Sequence, residues 1–221
     1  MARMNPDLRR ESIIAATLAV MQRQGIAATT VRDVAAALGT SSGLIHHYVT
    51  SMDELITEAF ERAATEDLER AAAAVAGGSD PIDRLRRFFD SYTRADDDSG
   101  MQLWLDAWAE AARRPALQQA SRRLNEAWQR LICQLIREGC AAGVLSSEDP
   151  EGTAWRLLSL LDGLTLQCVA HGDTITREQV ALWSHRAAEM ELGLPHGTLS
   201  EPVNQAGCAQ RSSGRPPTRV R

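Results

Sequence analysis

The sequence predicts an all-helical fold of two parts, and three observations predict it. Apolar residues recur every three or four positions along most of the chain, as in Ile14, Leu18 and Met21 or Val180, Trp183, Ala187 and Met190. Helix-start signals stand ahead of these runs. Thr30 with Asp33, Ser51 with Glu54 and Thr176 with Gln179 are capping-box pairs, and Pro6, Pro81, Pro115 and Pro150 suit a first helical turn. No stretch alternates apolar and polar residues as a half-buried strand does. At 221 residues with 44% hydrophobic content, the chain can bury a sizeable core in one or two domains.

Composition narrows the function. No run approaches the roughly 18 apolar residues of a membrane span, and MARMNPDLRR lacks the apolar centre of a signal peptide. The expectation is a soluble, cytoplasmic protein that does not engage membrane. Cys133, Cys140, Cys168 and Cys208 form no CxxC pair, so neither a metal site nor a disulfide framework is expected. Cys133 and Cys140 are seven apart and read as small buried hydrophobes.

The net charge of −5 is unevenly spread. Residues 1–50 hold five Arg against three acids, residues 51–193 fifteen against twenty-five, and residues 194–221 four against one. The ends are therefore positive and the middle acidic, which suits a basic head on an acidic body. All twenty-four basic residues are Arg.

The elements follow in order. Asn5 caps a first helix that ends near Gly25, with Arg9 and Arg10 near its start. Thr30 caps residues 31–38, where Val34 and Leu38 share one face and Gly39 supplies the left-handed C-cap. Ser41 caps the next short helix, with Ile45 and Val49 turned inward. Two helices joined by a tight glycine turn make a helix-turn-helix, whose second helix normally lies in the DNA major groove.

The whole run TTVRDVAAALGTSSGLIHHYVTSMDELI, residues 29–56, resembles the DNA-binding module of the TetR/AcrR family of one-component repressors. Thr30, Val31, Val34, Ala35, Gly39, Ser41, Gly43, Ile45, His47, Tyr48, Ser51 and Leu55 carry the resemblance without a gap. Four positions depart from it. Thr40 replaces a Val, His46 a phosphate-contacting Tyr, Val49 a core Phe, and Met52 a Lys whose loss removes a phosphate contact. The resemblance implies a homodimer that binds a palindromic, double-stranded operator and is released by a small-molecule effector. The sequence identifies neither the operator nor the effector. On this reading Ser42, Gly43 and Leu44 meet base edges, Thr30, Thr40, His46, His47, Tyr48, Arg9 and Arg10 are placed for the phosphates, and Ser41 belongs to the same DNA-binding surface.

From Ser51 an alanine-rich helix runs towards Gly77-Gly78, linking head to body. Asp80-Pro81 opens a helix with Leu85, Phe88, Phe89 and Tyr92. The acidic triplet Asp96-Asp97-Asp98 lacks the glycine turn of a calcium loop and reads as a solvated connector. Residues 101–113 carry Trp104 and Trp108 at i, i+4, and Pro115 starts a helix to about Gly143. The stretch WLDAWAEAARRPALQQASRRLNEAW, residues 104–128, is similar to the body of repressors that control choline-to-betaine synthesis. That resemblance makes Phe88, Phe89, Tyr92, Trp104, Asp106, Trp108, Glu110 and Trp128 the candidate effector pocket. Aromatic faces with nearby carboxylates suit a cationic ligand.

Asp149-Pro150 and Thr176 open the last two helices. A palindrome requires a two-fold protein, so Leu157, Leu160, Gly163, Leu164, Val180, Trp183 and Ala187 are the candidate dimer interface. The chain thus divides into a helix-turn-helix head (1–50), an effector-binding and dimerisation body (51–193) and a disordered basic tail (194–221) rich in Gly, Pro, Ser and Arg.

An enzyme is the rival class. Asp106 with Glu110, or Asp162 with His171, offer the raw material for acid–base work. However, no phosphate loop, GxSxG or HExxH accompanies them, and neither catalysis nor a cofactor is expected. A second alternative is a helical adaptor that has lost specific DNA binding, for which Met52 and the weakly basic head argue.

Overall fold

The computed structural model describes residues 5–93 and 98–200. Within them lie nine α-helices and no strand: α1 (Pro6–Gln24), α2 (Val31–Ala37), α3 (Ser42–Tyr48), α4 (Met52–Ala76), α5 (Pro81–Thr93), α6 (Ser99–Ala111), α7 (Pro115–Ala141), α8 (Pro150–His171) and α9 (Arg177–Glu191). A single 3₁₀ turn, Gly172–Thr174, joins the last two. Asp96, Asp97, Cys208 and the RSSGRPPTRVR stretch lie outside the described residues.

Capping chemistry sets the starts. The Asn5 side chain accepts from the Asp7 amide, and Thr30 and Asp33 complete a reciprocal box, as do Thr176 and Gln179. At α4 only half of the expected box forms among the described residues. Ser51 accepts from the Glu54 amide, while the Glu54 carboxylate lies 3.9 Å from the Arg10 guanidinium. Gly39 takes φ +60° and lets the chain reverse between α2 and α3.

The head packs α1 across α2 and the start of α4, with Ile14, Met21, Ile26, Val34, Ile45, Leu55 and Ile56 in its core. Val49 is buried where the family's larger aromatic is usual, and Met52 packs against the same core. The helix α4 is shared, since Leu55, Ile56, Ala59 and Phe60 are buried along its first turns. Head packing therefore runs past the expected boundary at residue 50.

In the body, α5 and α7 lie against α4, α8 packs on α7, and α9 closes on α5 and α8. The short α6 bridges α7, α8, α4 and α1, touching both halves of the molecule. Phe60, Phe88 and Phe89 are fully buried, each contributing about 1.5–3 kcal/mol of transfer free energy.

Residues 195–200, expected to belong to the tail, are held on the body. The carboxylate of buried Glu189 accepts from the amides of Gly197 (2.9 Å) and Leu199 (2.7 Å), and Arg86 donates to the Thr198 carbonyl. Leu199 is fully buried, so residues 195–200 form a hook on the body. Composition hid this, because one leucine and three backbone bonds anchor a stretch that otherwise reads as solvated.

Candidate functional sites

The exposed surface of the head is built around α3. Burial of Ile45 fixes its rotation, which leaves Gly43, His46 and His47 exposed and Ser42, Leu44 and Tyr48 half-buried. The Ser41 hydroxyl caps the Leu44 amide at 3.4 Å. A Cβ added at Gly43 would meet only Ser41 Oγ, at an ordinary 3.9 Å, so nothing inside the chain demands glycine there. His47 stacks edge-on against Tyr48 with ring centroids 5.2 Å apart, and Tyr48 also leans on the core. Thr30 is exposed and Thr40 half-buried beside this face, as is the exposed Arg32 of α2, which the sequence reading passed over.

Arg9 is half-buried at the start of α1. Arg10 is committed elsewhere, because its guanidinium binds Glu58 and faces Glu54, tying α1 to α4. Those contacts raise its pKa above the usual value, the Glu58 hydrogen bond being the largest cause. Its position in α1 resembles that of a phosphate contact, and the acids opposite it in α4 make it a brace.

A cavity of about 580 Å³ opens where α1 meets the body. Tyr92 (α5), Trp104 and Trp108 (α6) and Trp128 (α7) supply aromatic walls, and Leu18 and Gln22 of α1 complete the head side. Trp104 and Trp108 have centroids 5.7 Å apart, and Tyr92 meets Trp128 edge-on at 5.6 Å. Among the described residues, four carboxylates line the same space. Three are matched with arginines: Glu66 with Arg62 at 3.2 Å, Asp67 with Arg70, and Asp98 with Arg177. The fourth, Asp162 on α8, has no arginine partner among the described residues and is held by the Tyr92 hydroxyl.

Desolvation pushes the Asp162 carboxyl up to about 6, although the Tyr92 hydrogen bond pulls it the other way. Burial, then the Asp162 charge, raise the Tyr92 phenol well above its ordinary value. One turn along α8, the buried Thr165 hydroxyl lines the cavity without a hydrogen-bond partner among the described residues. The space therefore has aromatic walls and a polar end at which Asp162 is, among the described residues, the one anion without a cationic partner.

Of the eight expected pocket residues, Tyr92, Trp104, Trp108 and Trp128 line the cavity. Phe88 and Phe89 sit behind it, Phe88 against Tyr92 and Trp128 and Phe89 against His185. Asp106 and Glu110 point away, because two residues along a helix turn a side chain about 200°. That rotation sets them opposite Trp104 and Trp108. Asp106 accepts from the Ile26 amide at 3.3 Å, and Glu110 pairs with Arg114 at 3.2 Å. Asp162 was legible as an acid beside the apolar stripe of Leu158, Leu161 and Leu164, a pattern that marks a charge carried towards a core.

The outward face of α8 and α9 is apolar. Trp155, Leu182 and Trp183 are more than one-third exposed and Met190 is 84% exposed. Leu160, Leu164 and Ala187 are half-buried along the same pair, and a Cβ at Gly163 would meet nothing within 4 Å. Leu157 and Val180 differ from the rest of the expected interface, since both are sealed in the chain's own core. None of the helices described is long and apolar enough to cross a membrane.

Residues 13–59 match the family described as bacterial regulatory proteins, tetR family. Residues 81–193 match the BetI-type transcriptional repressor C-terminal domain. The HTH-type transcriptional regulator BetI of Paraburkholderia xenovorans is 33% identical over 175 residues, covering 76% of this chain and 85% of its own. The one from Ectopseudomonas mendocina is 28% identical over 190 residues, covering 84% and 94%. Among solved structures, a protein from Saccharomonospora viridis described as a transcriptional regulator in complex with choline superposes with a TM-score of 0.78. It is 23% identical and covers 84% of this chain and 98% of its own. A regulator from Pseudomonas aeruginosa superposes at 0.73 with 26% identity, covering 85% and 92%.

Proposed function

The chain belongs to the tetR family of bacterial regulatory proteins, with a BetI-type body, and from that premise we propose how this DNA-binding repressor is assembled, placed and released. Two copies pair through the outward face of α8 and α9 and present two α3 helices to a palindromic operator. Leu44 touches a thymine methyl and Gly43 lets the backbone approach the bases. His46, His47, Thr30 and Thr40 hold phosphates. The effector is a quaternary-ammonium cation of the choline type. It sits among Tyr92, Trp104, Trp108 and Trp128, with Asp162 as its counter-ion.

The observation that carries the effector reading is the cavity's charge balance. Among the described residues, three of its four carboxylates already face arginines, and the fourth, half-buried beside aromatic faces, has a phenol for its partner. A lone carboxylate that has lost part of its water is costly, and a soft cation offsets that cost. The relation to BetI regulators and the fold shared with a choline-bound protein support the same ligand class.

Release requires that choline bind more tightly to a head arrangement that fits the operator poorly, since equal affinity for both states shifts nothing. Footprinting the DNA upstream of the chain's own gene tests the reading. The expected pattern is a two-fold protected site that choline abolishes at millimolar concentration or below. A site that persists unchanged in choline and disappears with an uncharged apolar compound would reassign the cavity to hydrophobic inducers.

A further inference from the structure

The cavity holds a polar group that its charge balance leaves unexplained. Thr165 is 8% exposed on α8 and lines the cavity, and its hydroxyl has no hydrogen-bond partner among the described residues. A buried hydroxyl left unmatched is costly, and a threonine within a helix has a ready remedy in the carbonyl four residues back. The chain uses that remedy elsewhere: Thr17 donates to the Ile13 carbonyl and Thr93 to the Phe89 carbonyl, each at 2.8 Å. Thr165 makes no such bond to Leu161. Two other hydroxyls of the cavity are engaged. Ser91 donates to the Phe88 carbonyl at 2.8 Å, and the Tyr92 hydroxyl donates to Asp162. Of the side-chain amides that line the space, Gln22 is exposed and Asn125 half-buried.

We infer that Thr165 is the specificity-determining residue of the cavity, reading a hydroxyl carried two carbons from the cationic nitrogen of the ligand. The inference rests on the cavity being the effector site, and it extends that reading from the ligand's charge to its polar end. Asp162 and Thr165 are three residues apart on α8, which sets their Cβ atoms about 5–6 Å apart on one face. A nitrogen held between Asp162 and the aromatic walls therefore brings such a hydroxyl to Thr165. Either hydroxyl can donate or accept, so the pair is matched in both directions. Aromatic walls alone have the opposite preference, because an alkyl end in place of the hydroxyl adds apolar surface to be buried.

Choline and propyltrimethylammonium isolate that group, since the second carries a methyl where the first carries its hydroxyl. Calorimetry on the full-length protein measures both affinities in wild type, Thr165→Val and Thr165→Ser. Valine keeps the branched shape of threonine without the hydroxyl, whereas serine keeps the hydroxyl. Wild type should bind choline about five- to tenfold more tightly than the alkyl cation, within the range of one buried hydrogen bond. Thr165→Val should abolish that preference or reverse it, and Thr165→Ser should keep it at about threefold or more. A purely structural Thr165 would instead weaken both cations alike and leave their ratio where it stands in wild type.

A choline preference that survives unchanged in Thr165→Val would overturn the inference, as would equal affinities for the two cations in wild type. In both cases the cavity remains a quaternary-ammonium site whose selectivity lies elsewhere. Failure of both cations to bind wild type would refute the effector reading itself, and the inference with it.

Discussion

The head and the body of this repressor carry their functions in opposite ways. The head displays its working residues on a surface: α3 buries Ile45 and leaves Gly43, His46 and His47 in solvent. The body encloses the residues proposed to hold its ligand, drawing Tyr92, Trp104, Trp108, Trp128 and Asp162 from four helices into one cavity. A surface read by DNA needs only one correctly rotated helix, so its chemistry fits within a short stretch of chain. A cavity for a small ligand needs walls on several sides, so its residues are scattered over seventy positions. On the proposed reading the difference also divides tasks: base reading is local to the head, while dimerisation and ligand response belong to the body.

Breaking the body's outer face should have the largest effect. Trp183→Glu places a charge in the exposed apolar face of α9 and should yield monomers. Each head then binds alone, losing roughly 10²- to 10⁴-fold in operator affinity through lost avidity. Sedimentation and anisotropy on the same sample would check it, and a variant that stays dimeric would place the interface elsewhere.

The next largest change concerns the ligand alone. Asp162→Asn should weaken choline about thirtyfold to a hundredfold, the lower part of the about 2–5 kcal/mol that removing one partner of a buried charge pair costs, because Asp162 is half-buried. Operator binding without choline should barely move, which is the sharpest separation of body from head.

Proton linkage at the same carboxyl sharpens the comparison further. On the proposed reading choline needs the ionised form of Asp162, whose carboxyl desolvation pushes up to about 6. Affinity should be level above about pH 7 and fall roughly tenfold for each unit below 6. The free protein responds in the opposite sense. A carboxyl whose folded pKa is raised binds protons more tightly when folded, so its contribution to stability is lost as pH climbs from the ordinary carboxylate range to about 6. Melting curves with and without choline should therefore diverge as pH rises through 6, and parallel curves would exclude Asp162 as the counter-ion.

The smallest effects lie in the head. Leu44→Ala should cost about fivefold on the cognate site and little on scrambled DNA, a loss of about 1 kcal/mol at one base. His47→Ala should weaken both DNAs alike by a few fold, because phosphate contacts position without specifying. Equal losses on both DNAs for Leu44→Ala would remove it from base reading.

How much of this was legible in the sequence follows the same division. Helix order, caps and the glycine turn were readable because each depends on neighbours within four residues. The box at Thr30 and Asp33 and the positive φ of Gly39 are the structural forms of those signals. Half of the cavity was also readable, as aromatics at helical spacing. The acids were misassigned for a geometric reason: Asp106 and Glu110 are near the tryptophans in sequence but opposite them around α6. Asp162 lay seventy residues from its phenol partner, and only its place beside an apolar stripe marked it. Arg10 and the 195–200 hook eluded the reading because each depends on a long-range partner, Glu58 for one and Glu189 for the other.

The central claim is that the enclosed cavity and the displayed surface are thermodynamically one system. Calorimetric titration of choline into the free dimer and into the dimer saturated with operator tests it most directly. Linkage requires choline to bind the DNA-bound form more weakly, by the same factor by which choline weakens operator binding. Identical choline affinities in the two titrations would contradict the account, leaving a choline site and a DNA-reading head with no connection between them.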